Sequence, residues 1–113
     1  MTAGGTTTIV IMGATGDLTR RKLLPALFQL HCKRRLPDRL LIVGFARTPH
    51  SDDQFRELMW DGVREFGELI AHRDEWEPFA RNLFYVRGDL SVHEHCASLR
   101  ERLEEIEGSL RPA

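Results

Sequence analysis

Cysteine is scarce in this chain: Cys32 and Cys96 are its only two, far apart and in no C-x-x-C pair. That spacing gives neither a zinc-ligand set nor a disulfide framework, and two reduced, half-buried thiols are expected instead. Long apolar runs are missing as well. Such runs as there are, Ile9 to Met12 with Ala14 beyond Gly13 for one, are strand-sized and fall far short of the roughly 18 residues that cross a bilayer, so no membrane partner is expected. The stretch Met1 to Thr8 carries no basic residue, so no secretion signal is read there and the chain is expected to be cytoplasmic. Neither sign of charge dominates, with 16 Lys and Arg against 17 Asp and Glu and a formal net charge of −1. A nucleic-acid backbone would find no basic surplus, and any anion binding must be local. No repeat, low-complexity tract or long linker occurs.

What is present suits one compact domain. The chain has 113 residues, 42% of them apolar, with nine glycines besides, and domains usually need roughly 100–150 residues. Short apolar runs alternate with longer amphipathic stretches, the mark of βαβ units. The strands are read as Thr8 to Met12, Leu40 to Phe45 and Leu83 to Val86. The first helix carries a stripe of Leu23, Leu24, Leu27 and Leu30 and ends in Lys33-Arg34-Arg35. Pro25 lacks an amide proton, so either the helix proper begins there or it is kinked. Leu36-Pro37-Asp38 reads as a turn. Ser51 to Gln54 makes a capping box for a helix bearing Phe55, Leu58, Met59 and Phe66, and a short helix is expected near Trp76 to Ala80. Ser91 to Glu94 repeats the box before a last helix with Cys96, Leu99, Leu103 and Ile106. Right-handed crossovers set the three strands parallel in the order 3-2-1, an α/β half-sheet with flanking helices. This is one mononucleotide-binding half of a doubly wound fold. The expected domain is therefore truncated, with strand 1 as an uncovered edge and the remaining strands and the catalytic domain beyond residues 1–113.

Gly13-Ala14-Thr15-Gly16-Asp17-Leu18 follows an apolar strand and opens a helical stretch, the context that gives a glycine motif its meaning. Without a Cβ the backbone can approach a pyrophosphate, and the free amides of the first helical turn bind it; Thr15 adds a hydroxyl. The alternative is a plain glycine-rich strand-to-helix turn. The loop departs from G-x-G-x-x-G at Thr15 and Leu18, and no Walker A motif exists, so ATP hydrolysis by that route has no support. At the end of the second strand an NAD-preferring fold places an acid for the ribose 2′-hydroxyl. Here Gly44-Phe45-Ala46-Arg47-Thr48 offers Arg47, whose guanidinium fork suits a 2′-phosphate, so NADP is preferred to NAD; alone, Arg47 would read as a solvated strand-end arginine, and the glycine loop one crossover upstream reverses that reading. Arg20, Arg21 and Lys22 stand where the helix dipole disfavours cations. Either they splay into solvent or one reaches back toward phosphate. Asp89 and Leu90 follow the third strand and either line the adenine or, in the case of Asp89, cap the last helix.

The run from Gly13 to Phe28, with Ile42-Val43-Gly44-Phe45-Ala46-Arg47, resembles the N-terminal coenzyme domain of the glucose-6-phosphate dehydrogenase family. That family shows G-A-S/T/K-G-D-L-A-K/R-R/K-K-L-x-P and then G-x-A/G-R at this separation, and the likeness runs from Ile9 to about Ile106, with Asp89-Leu90 matching an Asp-Val pair. It implies a Rossmann-like fold and NADP-dependent oxidation of glucose 6-phosphate to the lactone, the entry to the pentose phosphate pathway. It also implies a homo-oligomer in the full-length enzyme. By this likeness the cofactor-binding residues are Gly13, Ala14, Thr15, Gly16, Asp17, Leu18, Thr19 and Arg20 in the loop, Lys22 in the helix, Arg47 for the 2′-phosphate, and Asp89 and Leu90. Thr19 replaces the family's alanine. The family's catalytic histidine, the Asp that orients it and a substrate-phosphate lysine belong to segments beyond residue 113, so this chain alone is expected to show no dehydrogenase activity. None of His31, His50, His72, His93 and His95 has the partners to replace them. Two alternatives stand beside this: a stand-alone NADP-binding module, and an extended short-chain reductase loop. Thr19, in the place of that loop's last glycine, counts against the second.

Overall fold

A computed structural model of the chain describes residues 7–37, 39–67, 72–89 and 91–109. The N-terminal stretch, Asp38 of the expected turn and Leu90 lie outside the described residues. Strand β1 spans Thr7–Met12, followed by a π-helical turn over Thr19–Leu23 that continues into α1, Leu24–Cys32. Then come β2 (Leu40–Ala46), α2 (Asp52–Phe66), α3 (Arg73–Ala80), β3 (Leu83–Arg87) and α4 (His93–Ser109). All strand pairs are parallel with β2 in the middle, which is the expected 3-2-1 order. Met12 pairs with Phe45, and Ala46 with Arg87, so the three strands end together.

Strand alternation sends successive side chains to opposite faces, and both faces of β2 are buried along its whole length. Leu40, Ile42 and Ala46 join Ile11, Leu83 and Tyr85 under α1, α2 and α3, where Phe28, Phe55, Met59, Val63, Trp76 and Phe79 complete the larger core. Leu41, Val43 and Phe45 join Val86 on the other face, covered by Leu99 and Ile106 of α4. The Thr8 hydroxyl donates to the Glu107 carboxylate, tying the outer strand to the end of α4.

Three local readings are settled by the structure. Pro25 sits in the first turn of α1, and the preceding turn is widened so that the Leu24 amide reaches the Thr19 carbonyl, five residues back. The widened turn precedes a residue with no amide proton to give, and the α-helix proper begins at Leu24, one residue before Pro25, which agrees with the first of the two expected courses. The buried face of α1 is Leu24, Pro25 and Phe28, while Leu23 and Leu30 are 40% and 38% exposed. Phe28 decides this orientation, because its ring packs on Trp76 and Phe79 with centroids 5.4 and 5.5 Å away. Finally, the Ser51–Gln54 box forms with both reciprocal bonds, but Ser91 makes no such box: its hydroxyl and amide both donate to Asp89 Oδ1.

Candidate functional site

The glycine turn is set by the end of β1. Gly13 takes a φ of +66°, which favours glycine, and its amide donates to the Phe45 carbonyl at 2.9 Å. The Gly16 amide donates back to the Gly13 carbonyl at 2.9 Å, and the Arg20 amide to the Gly16 carbonyl at 3.4 Å, so the chain turns at once into a helix. The amides of Thr15, Asp17 and Leu18 have no acceptor among the described residues, as the opening of a helix requires. Ala14 is fully buried beneath the turn. It can lie there because position 44 has no side chain: a Cβ on Gly44 would stand 2.7 Å from the Ala14 Cβ and 2.7 Å from Phe55 Cζ.

The turn faces a cleft of about 350 Å³ lined by Gly13, Thr15, Gly16, Phe45, Ala46, Arg47, Thr48, Gly88 and Asp89. All three strands contribute their C-terminal ends, the place where open α/β sheets bind ligands. The Tyr85 hydroxyl donates to the Thr48 carbonyl and so anchors the segment after β2. A hollow of about 460 Å³ continues the cleft past Arg47, Gly88 and Asp89 to Arg87, Val92 and His95. In its wall the Asp89 amide donates to His95 Nδ1 at 2.9 Å. The Ser91 amide and hydroxyl hold the Asp89 carboxyl below its usual range, with smaller help from the charge of Arg47. Asp89 thus braces the turn before α4 and lines the cleft.

Of the residues singled out from sequence, Gly13, Thr15, Gly16, Arg47 and Asp89 share the cleft, and Ala14 supports it from below. Asp17, Leu18, Thr19, Arg20 and Lys22 do not line it. Leu18 is 66% exposed, Thr19 is buried, and Lys22 is exposed. Arg20 takes neither of the two expected courses. Its guanidinium pairs with Glu65 at 3.1 Å and lies over the Phe66 ring, leaving Nε buried without a partner. Arg21 also stacks on Phe66. Leu90 lies outside the described residues. Sequence reading passed over Thr48, Arg87, Gly88 and His95 as site residues; the signal for the first three is their position just at or after a strand end. No group of three or more His, Cys, Asp or Glu is placed to hold a metal ion among the described residues. No helix among them is long and apolar enough to cross a membrane.

A parallel half-sheet whose first strand ends in a glycine turn, with a cationic residue after the second strand, defines a dinucleotide-binding domain of the doubly wound class. The chain belongs to the family described as "Glucose-6-phosphate dehydrogenase, NAD binding domain", which matches residues 10–112. It is 42% identical over 99 residues to a glucose-6-phosphate 1-dehydrogenase of Chlamydia pneumoniae, covering 88% of this chain and 19% of that protein. It is 35% identical over 99 residues to the one from Leuconostoc mesenteroides, covering 88% of this chain and 20% of that protein. Among solved structures, a glucose-6-phosphate dehydrogenase in complex with its substrate glucose-6-phosphate superposes with a TM-score of 0.78 at 30% identity. That match covers 93% of this chain and 22% of the other. The chain thus spans about a fifth of the length of the relatives it matches.

Proposed function

We propose that this chain is the coenzyme-binding part of an NADP-dependent glucose-6-phosphate dehydrogenase, which oxidises glucose 6-phosphate to 6-phosphogluconolactone. The observation that carries this reading is the shared cleft: the Gly13–Gly16 turn, with the unpaired Thr15 amide, and Arg47 line one space. The donor set fits a dinucleotide. Amides of Thr15, Asp17 and Leu18 at the helix start suit a pyrophosphate, and the fork of Arg47 suits a phosphate on the adenosine ribose. When bound, the coenzyme supplies a nicotinamide that accepts hydride. The residues of this chain bind and orient it, with Gly44 keeping the turn low on the sheet and Tyr85 fixing the segment that carries Arg47.

Among the described residues no histidine lines this cleft, and its carboxylate, Asp89, is held by the Ser91 amide and hydroxyl. His31 packs against Phe28 and Phe79, His50 against Tyr85, and His95 is engaged with Asp89. That favours binding without turnover by the 113 residues alone. Calorimetric titration of the chain with NADP and with NAD tests the reading. NADP should bind more tightly, and Arg47→Ala should remove most of the difference. Equal or absent binding would refute the role of Arg47, and NADPH formation from glucose 6-phosphate by this polypeptide would refute the division of labour.

A further inference from the structure

Two guanidiniums stand at the ends of neighbouring strands without an ion-pair partner among the described residues. Arg47 follows β2, Arg87 closes β3 in register with Ala46, and both line the hollow of about 460 Å³. The Arg87 Nε donates to the Arg47 carbonyl oxygen at 3.2 Å. This single bond ties the Arg87 guanidinium to the segment carrying Arg47 and leaves both terminal nitrogens uncommitted. The one carboxylate lining the hollow, Asp89, already accepts two hydrogen bonds from Ser91 on Oδ1. His95 receives the Asp89 amide on Nδ1, so Nε2 is the ring nitrogen left to donate, and the wall gains a donor rather than an acceptor.

We infer that Arg87 is a second specificity-determining residue for NADP, forming with Arg47 a two-guanidinium clamp on the ribose 2′-phosphate. The inference rests on the dinucleotide reading above and extends it by dividing the discrimination between two strands. A phosphate monoester carries about −1.5 to −2 charge near neutrality and three strong acceptor oxygens. It can accept from two forks at once and relieve the repulsion between adjacent cations. A free 2′-hydroxyl can do neither.

The test is titration of the whole 113-residue chain, wild type and Arg87→Ala, with NADP and NAD as probes. Hydrogen bonds to charged groups are worth enough that Arg87→Ala should weaken NADP by about 10- to 100-fold. NAD affinity should change by less than about twofold, showing the fold intact, since Arg87 is exposed and its loss opens no cavity. Arg87→Lys should recover part of the loss. Because the two arginines grip one group, their effects on NADP should be non-additive in the double variant. If the wild type prefers NADP and Arg87→Ala leaves that preference unchanged, the clamp is wrong while the dinucleotide reading stands. If the wild type binds neither probe, both fall.

Discussion

A single absent methyl group governs how closely the phosphate turn approaches the sheet. Gly44→Ala would place a Cβ 2.7 Å from both Ala14 and the Phe55 ring, each fully buried. Overpacking of this kind costs about 1–3 kcal/mol, so urea denaturation should show a lower midpoint at unchanged slope. NADP binding should weaken too, because Ala14 is the floor of the turn. Cys32 gives a second prediction at this scale. Burial, then a hydrogen bond to the Glu75 carboxylate and the charge of that carboxylate, push its thiol up to about 12 from an ordinary 9.0. The folded chain keeps this proton between those values while the unfolded chain loses it. The contribution to stability is therefore complete below pH 9 and is lost as pH rises through the folded value. Alkylation of Cys32 at pH 8, followed by mass spectrometry, should run at least about tenfold slower in the native chain than in urea, since only thiolate reacts. Comparable rates would show an ordinary thiol. That the glycines, Arg47 and Asp89 share one cleft was legible because each sits at a strand terminus, where position along the chain is position at the sheet edge. Arg20 and Lys22 lie outside the cleft lining because the widened turn over Thr19–Leu23 carries its side chains away from the loop, Arg20 to Glu65 and Phe66. Arg87 was overlooked because its nearness to Arg47 depends on the β2–β3 register, which no local pattern encodes.

Among the elements, those with a strong period or a complete cap were read correctly. Ser51 accepts from the Gln54 amide at 3.1 Å, and the Gln54 side chain accepts from the Ser51 amide at 2.8 Å. Asp52 and Asp53 add favourable charge to the first turn of α2. Ser51→Ala should therefore cost about 1 kcal/mol of stability, read from urea unfolding, and Ser51→Asn should restore most of it. No change in Ser51→Ala would mean that packing of Phe55, Met59 and Val63 alone sets the start of α2. The π turn over Thr19–Leu23 was not legible. Pro25 announced a lost hydrogen bond, but whether the chain answers with a start, a kink or a wider turn depends on what packs there. Ser91 failed for a related reason: the motif S-x-x-E specifies a box only when no better acceptor is near, and Asp89 is two residues away.

For the whole molecule, the two faces of the sheet are unequally covered. Three helices and a cluster of aromatic rings seal one side, whereas among the described residues α4 alone seals the other through Leu99 and Ile106, with Val10, Phe84 and Leu103 half-buried around them. The glycine turn belongs to the first layer, since Ala14 packs with Leu24 and Phe55. Asp89 and His95, by contrast, stand at the entry to α4. Ile106 is 2% exposed and packs in the α4 cluster with Val43 and Phe45, so Ile106→Ala should cost about 2–5 kcal/mol. If the layers are as separable as their contacts indicate, that cost falls first on α4, whose amides should exchange hydrogen faster while those of β2 stay protected. NADP should then lose affinity more than NAD, because loosening α4 disturbs the wall beside Arg87 and leaves the pyrophosphate turn in place. Simultaneous loss of protection in α4 and β2 would show instead that the sheet and both its covers open as one unit, and the difference between the two coenzymes would vanish with it.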